Sequence, residues 1–87
     1  MDNIKMVDLS DVNELLENLS SDNSISKSVR TILTEIKDDF RDEDNISIKI
    51  DSALQKVEDL SLDPNLNSYT RTQIWNLSSL LEGAQEH

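Results

Sequence analysis

Apolar residues recur every three or four positions in four separate segments of this chain, and this spacing constrains its fold more than any other feature. Such spacing places apolar side chains on one face of an α-helix, which must then pack against another element. The helices predicted in this way cover approximately residues 2–19, 27–40, 46–62 and 69–82. The chain has one glycine and one proline, Gly83 and Pro64, which is too few for the turns of an all-β protein. We therefore expect an all-α fold, a four-helix bundle-like single domain that spans residues 1–87.

The two halves of the chain carry the same pattern when one half is shifted by 41 positions. The shift superposes most of the apolar positions. It also superposes two pairs of charged residues at the hairpin turns, Asp22 and Arg30 on Asp63 and Arg71. We interpret the halves as an internal repeat, with units of about residues 3–41 and 44–82 that are each a HEAT-like helical hairpin. Two units are few for an open stack, so we expect the four helices to close into a bundle.

The four charged turn residues are expected to fix the turns. An aspartate beside the start of a helix can accept hydrogen bonds from free backbone N–H groups, and an arginine one turn into the helix can bridge to that carboxylate or to that of the other unit. The alternative is that the same side chains form a binding site for a charged ligand.

Several short motifs around the second turn are specific enough to compare with known families: Asp63-Pro64-Asn65, Thr70-Arg71-Thr72 and Ile74-Trp75, with Asp22 and Val29-Arg30 as counterparts in the first half. Over most of its length, the chain resembles a small archaeal family, uncharacterised protein family 0147. Members usually have a proline before the second and fourth helices, where this chain has Ser26 and Asn67. The resemblance implies a compact all-α archaeal domain and no particular activity, because none is established for the family.

Trp75 is the residue that most favours an interaction surface. By helical geometry it lies on a polar flank of the fourth helix, well away from the buried face that Ile74 and Leu77 define. Tryptophan is enriched in buried contacts and at binding hot spots. Its ring is therefore expected either to lie flat over a neighbouring helix or to contact a second chain. Tyr69 and Leu80 fall on the other flank and form a smaller candidate patch.

The residue types needed for many kinds of catalysis are missing. The chain has no cysteine, which excludes thiol nucleophiles, disulfides and thiolate zinc sites. Its one histidine is the final residue, His87, where a buried catalytic or metal-binding side chain is not expected. We therefore predict that the protein is not an enzyme and that it has no catalytic residue, no cofactor and no resident metal.

The net charge of −10 argues against two classes of partner. Nucleic-acid backbones and anionic membrane surfaces both attract clustered lysine and arginine, so we expect neither as a partner. No apolar run approaches the ~20 residues of a membrane span, and residues 1–5 show no signal-peptide pattern. We expect a cytoplasmic protein. Charge also leaves open the binding of basic proteins, as a further class of function.

These observations favour a non-enzymatic interaction or assembly module that binds a protein, either an unknown partner or a second copy in a homodimer. The alternative is a divalent-cation-binding protein or a metal-dependent enzyme that uses an acidic segment over residues 35–44. Its carboxylates belong to Glu35, Asp38, Asp39, Asp42, Glu43 and Asp44. The segment lacks the glycine and the closing glutamate of an EF-hand loop, and a solvated helix end is the simpler interpretation.

Overall fold

A computed structural model describes residues 9–42 and 44–85. Within them the chain forms four α-helices: α1 (Ser10–Ser20), α2 (Lys27–Asp39), α3 (Ile46–Ser61) and α4 (Ser68–Gln85). These residues contain no strand, so the predicted all-α fold with four helices is confirmed. Leu9 is the N-cap of α1, and the part of the predicted first helix that covers residues 2–8 lies outside the described part. None of the four described helices is long and apolar enough to cross a membrane.

The four helices close into a ring. The first hairpin packs α1 against α2, the second packs α3 against α4, and the hairpins meet through α1 with α4 and α2 with α3. A hydrogen bond from Tyr69 to Asp22 places the start of α4 beside the end of α1. An ion pair of Lys49 with Asp42 places the start of α3 beside the end of α2. Neighbouring helices are therefore antiparallel, and the described residues form an up-and-down four-helix bundle.

One apolar core fills the ring, and every helix contributes a stripe to it. Its buried residues are Val12, Leu16, Leu19, Ile25, Val29, Leu33, Ile36, Phe40, Ile50, Ala53, Val57, Leu60, Ile74, Leu77, Leu81 and Ala84. Burying a large aliphatic side chain contributes about 1.5–3 kcal/mol, so these stripes supply most of the stabilisation. Thr70 is the one buried polar residue of the described part, and no hydrogen bond joins its hydroxyl to another described residue.

The turns of the two hairpins contain the same hydrogen bonds. The Asp22 carboxylate accepts from the backbone N–H of Ser24, and the Asp63 carboxylate accepts from that of Asn65, both at 2.9 Å. At the following helix starts, Ser26 Oγ accepts from the Val29 N–H at 3.4 Å, and Asn67 Oδ1 accepts from the Thr70 N–H at 2.7 Å. All of these acceptors and donors correspond under a shift of 41 positions. The further likeness of each hairpin to HEAT repeats stays a prediction.

The link between the hairpins turns at Asn45. Its backbone lies in the left-handed region, with φ 56° and ψ 42°, where asparagine is one of the few residues tolerated besides glycine. Its carbonyl accepts a hydrogen bond from the Lys49 N–H at 3.1 Å and so begins α3. The chain can therefore reverse direction here without a second glycine.

Candidate interaction surface

Trp75 stands out from the side of α4 that faces α3. Its side chain lies on the polar flank that the helical spacing predicts, and the residue is 74% exposed. With that exposure the indole does not lie flat over a neighbouring helix. Most of its surface is therefore open to a ligand or a second chain.

Beside Trp75, the groove between α3 and α4 deepens into a cavity of about 240 Å³, which we call the Trp75 cleft. It is lined, together with Trp75, by Val57, Glu58, Ser61, Arg71, Ile74 and Ser78. Val57 and Ile74 are buried core residues and form an apolar floor. Glu58 is exposed, and it places a carboxylate at the same cleft as the indole. The cleft thus offers one aromatic, one acidic and one apolar surface together.

The polar cleft residues Glu58, Ser61 and Ser78 are not among the site residues that the sequence predicts. Each lies on a helix flank that becomes a groove wall only when α3 and α4 pack together. A signal was nevertheless present, because the shift of 41 positions relates Ser78 to a lysine, Lys37, and Glu58 to an identical residue, Glu17.

Arg71 closes one part of the cleft and is held by main-chain oxygens. Its guanidinium donates from Nη1 to the Ser61 carbonyl at 2.8 Å and from Nη2 to the Asp63 carbonyl at 3.1 Å. These oxygens lie at the C-terminal end of α3, where a cation is favourable. In the first turn, Arg30 Nε donates to the Ile25 carbonyl at 3.0 Å. Instead of the expected bridges to aspartate carboxylates, both arginines therefore bind turn carbonyls.

Tyr69 links the two hairpins. Its hydroxyl donates to Asp22 Oδ2 at 2.7 Å, while the other carboxylate oxygen accepts from the N–H and the hydroxyl of Ser24. The hydrogen bond from Tyr69, followed by those from Ser24, lowers the pKa of Asp22 below its ordinary value. The same carboxylate raises the pKa of Tyr69. Although Tyr69 is 47% exposed, its hydroxyl is already committed to this contact.

Leu80 lies on another surface than Tyr69. It is half-buried against the core and lines a shallow depression of about 510 Å³ between α4 and α1, with Leu15 and Asn18 opposite. Eleven positions separate Leu80 from Tyr69, which is about 16 Å along an α-helix. The two side chains therefore do not form a single patch, and Trp75 stands apart from both.

Lysines of α3 neutralise much of the acidic segment. Lys56 Nζ lies 3.4 Å from Asp39 Oδ2 and 3.9 Å from Glu35 Oε1, across the seam between α2 and α3. Glu43, which the cation-binding alternative included, lies outside the described residues. Within the ranges 9–42 and 44–85, no three acidic or histidine side chains are grouped so that they could hold a metal ion.

The last part of this segment shapes the link. Asp42 Oδ1 accepts from the Asp44 N–H at 3.0 Å, and Lys49 Nζ donates to the Asp42 carbonyl and lies 3.5 Å from its Oδ2. The Asp44 N–H, followed by the Lys49 charge, lowers the pKa of Asp42. The Asp42 carboxylate thus has a structural use, because it joins the end of α2 to α3.

Comparison with known proteins assigns the family. The model of UPF0147, described as an uncharacterised protein family, matches residues 2–84. The UPF0147 protein of Archaeoglobus fulgidus is 40% identical over 74 residues, which cover 85% of each chain. That of Methanosarcina mazei is 41% identical over 70 residues, 79% of this chain and 75% of the relative. The crystal structure of the unknown function protein MMP1188 matches with a TM-score of 0.77 and 28% identity, over 91% of this chain and 96% of that one. The resemblance seen around the second turn is thereby confirmed, and the chain belongs to the uncharacterised protein family UPF0147.

Proposed function

We propose that this protein is a non-enzymatic protein–protein interaction module and that the Trp75 cleft is its contact surface. The observation that carries the proposal is the 74% exposure of a tryptophan beside an apolar-floored cleft. Leaving so large an apolar side chain in water gives up the stabilisation that burial would bring. Tryptophan is also the residue type most enriched at the energetic centres of protein interfaces. A partner that covers the indole recovers that stabilisation.

The positions of the shifted pKa values also favour binding over catalysis. Acid–base catalysis needs neighbouring titratable groups whose pKa values are moved apart inside a pocket. The carboxylates with shifted pKa values are those of Asp22, in the first turn, and Asp42, in the link from α2 to α3. Tyr69, whose pKa is also shifted, bonds to Asp22. None of the three lines the Trp75 cleft. We therefore place no catalytic step in the cleft.

The proposal includes three further expectations. The two hairpins are copies of one unit, which the recurring turn hydrogen bonds support. The interaction takes place in the cytoplasm. Nucleic acid and membrane surfaces are not the partner, since a net charge of −10 repels both.

The test is affinity capture with the full chain and two matched variants. Trp75→Ala removes the exposed indole, whereas Ile48→Ala removes a comparably exposed apolar side chain at the far end of α3, where 67% of the residue is accessible. We expect the native chain and Ile48→Ala to retain the same partner and Trp75→Ala to lose it, with unchanged helix content by circular dichroism. Light scattering on the same samples shows whether the partner is a second copy. Equal retention by all three chains would exclude the Trp75 cleft as the contact.

A further inference from the structure

The Trp75 cleft has a counterpart in the first hairpin, and the two differ in one informative way. Under the shift of 41 positions, Glu58 corresponds to Glu17 and Ser61 corresponds to Ser20, so these positions are unchanged. The serine hydroxyl even donates to the carbonyl of that glutamate in both hairpins, at 3.2 Å from Ser20 and at 2.7 Å from Ser61. The two grooves therefore have one wall in common, formed in each hairpin by the equivalent glutamate and serine.

In the first hairpin an internal cation pairs with the glutamate of this groove. Lys37 Nζ lies 3.0 Å from Glu17 Oε2 and donates a hydrogen bond to it. The lysine side chain is 25% exposed, so its aliphatic stem is mostly covered while its charged end reaches the glutamate. The position equivalent to Trp75 is Thr34, which is small. The Glu17 carboxylate is thus paired within the chain, although a depression of about 350 Å³ remains open beside Ser20, Arg30 and Thr34.

In the second hairpin the cation is missing and the glutamate remains. Ser78 stands where Lys37 stands, and no described residue forms an ion pair with the Glu58 carboxylate. Arg71, the cation among the cleft residues, is occupied by the Ser61 and Asp63 carbonyls. In place of the small Thr34, the cleft carries Trp75. The second hairpin therefore keeps the acceptor for a cation and adds an aromatic wall.

We propose that the Trp75 cleft binds a lysine or arginine side chain of a partner protein, in the place that Lys37 occupies in the first hairpin. The cation pairs with Glu58, its aliphatic stem covers Val57 and Ile74, and the indole of Trp75 attracts the charge through its ring face. This inference rests on the proposed function and names the chemistry of the partner.

The charge of the whole molecule supports a basic partner over a second copy. A net charge of −10 attracts a basic protein from a distance and raises its rate of association. Two copies of the chain repel each other through the same field. The field provides attraction, and the cleft provides the specific position for one side chain.

The test uses nuclear magnetic resonance on the full ¹⁵N-labelled chain, because Trp75 is the one tryptophan and its indole N–H signal needs no further assignment. The probes are acetyl-Gly-Arg-Gly-amide, its citrulline analogue, which has the same shape without the charge, and its leucine analogue. We expect the arginine peptide to shift the indole signal saturably at millimolar concentration and the citrulline peptide to leave it in place. Glu58→Gln should weaken the binding of the arginine peptide by about fivefold or more, since a charge-assisted contact is removed.

A lysine placed in the cleft by substitution provides a second and independent test. Ser78→Lys restores the internal cation of the first hairpin and should abolish the shift by occupying the site. Ser79→Lys adds the same charge one residue further along α4, outside the residues that line the cleft, and should change the affinity by less than about twofold. Because both variants have the same net charge, their difference isolates occupation of the cleft.

The outcomes separate the inference from the proposed function. An arginine shift that persists in Ser78→Lys, or that is weakened equally by both serine variants, means general attraction to an acidic protein and overturns the inference. A leucine peptide that shifts the indole when the arginine peptide does not also overturns it, while a protein-binding role for Trp75 survives. If no peptide shifts the indole, the inference is wrong, and the capture experiment with Trp75→Ala decides the proposed function by itself.

Discussion

The two hairpins are alike inside the molecule and unlike on its surface. Both contribute aligned stripes to one core, and both close with the same turn hydrogen bonds. The exposed large hydrophobic side chains of the described residues, however, all belong to the second hairpin: Ile48, Leu62, Tyr69 and Trp75. In the first hairpin, by contrast, the equivalent glutamate, Glu17, is paired with Lys37. The two hairpins thus share an interior pattern and differ in the surface that they present.

The largest expected effect tests whether the hairpins share one core. Leu33 and Ile74 occupy equivalent positions and are 0% and 1% exposed. Leu33→Ala and Ile74→Ala should each lower the free energy of unfolding by about 2–5 kcal/mol, because each leaves a cavity in the same core. Urea denaturation followed by circular dichroism should show a single transition for both variants. Two separate transitions would mean that the hairpins unfold independently.

The next effect concerns a buried position where the hairpins differ in polarity, Val29 against Thr70. Thr70 has a hydroxyl without a partner among the described residues, and burying such a group costs about 1–3 kcal/mol. Thr70→Val should therefore raise the free energy of unfolding, and Val29→Thr should lower it, by amounts within this range. Chemical denaturation measures both. A loss of stability in Thr70→Val would show that the hydroxyl has a favourable contact.

How far these features follow from the sequence depends on whether they need one helix or two. The apolar stripes and the flank that carries Trp75 are properties of single helices, and the periodicity predicts them. The cleft is a property of the seam between α3 and α4, so Glu58 and Ser78 gain their meaning only after packing. The apolar stripe from Leu9 to Leu19 likewise predicts α1, whose N-cap in the described residues is Leu9.

The hydrogen bonds of the turns also depend on how the helices pack. The sequence predicts that Asp22 and Asp63 order the turns, but it cannot distinguish a carboxylate from a main-chain carbonyl as the acceptor for an arginine. Arg71 reaches two carbonyls because the end of α3 presents them together. The hydrogen bond from Tyr69 to Asp22 joins residues that are 47 positions apart, and it forms only when the helices close into a ring. No local sequence pattern therefore predicts it.

Helix capping sharpens the comparison further. Asn67 Oδ1 accepts from the Thr70 N–H at 2.7 Å, whereas the equivalent bond to Ser26 Oγ is longer, at 3.4 Å. Loss of a cap costs about 0.5–2 kcal/mol. Asn67→Ala should lie near the upper end of that range and Ser26→Ala near the lower end, as measured by thermal and chemical unfolding. Equal losses of stability in the two variants would mean that the difference between the two hydrogen-bond lengths does not affect stability.

The smallest expected effect is the pH dependence of the contact between the hairpins. The bond needs an ionised Asp22, whose pKa is lowered below 3.8, and a protonated Tyr69, whose pKa is raised above 10.0. The contribution of this hydrogen bond to stability is thus complete between pH 3.8 and pH 10.0. It is lost as the pH falls through the pKa of Asp22 or rises through that of Tyr69.

Tyr69→Phe should therefore lower the midpoint of thermal unfolding slightly at neutral pH, by less than the cap variants because the site is exposed, and the difference should vanish in acid. Ser28 is the equivalent residue of the first hairpin, and Ser28→Ala serves as the control that should show no such pH dependence. A deficit of Tyr69→Phe that persists unchanged well below pH 3.8 would contradict the assignment of the bond.

The closed order of the helices has a consequence for how such a molecule can be assembled. Exchanging the hairpins turns the α1–α4 seam into the α3–α2 seam, so the order of the helices around the ring is unchanged. Two separate hairpins of one sequence would pair in this way as an isologous dimer, with a stability that depends on their concentration. The link through Asn45 joins the halves in one chain and makes the association intramolecular. Within one chain a substitution in one half does not appear in the other, so the two hairpins can carry different surfaces.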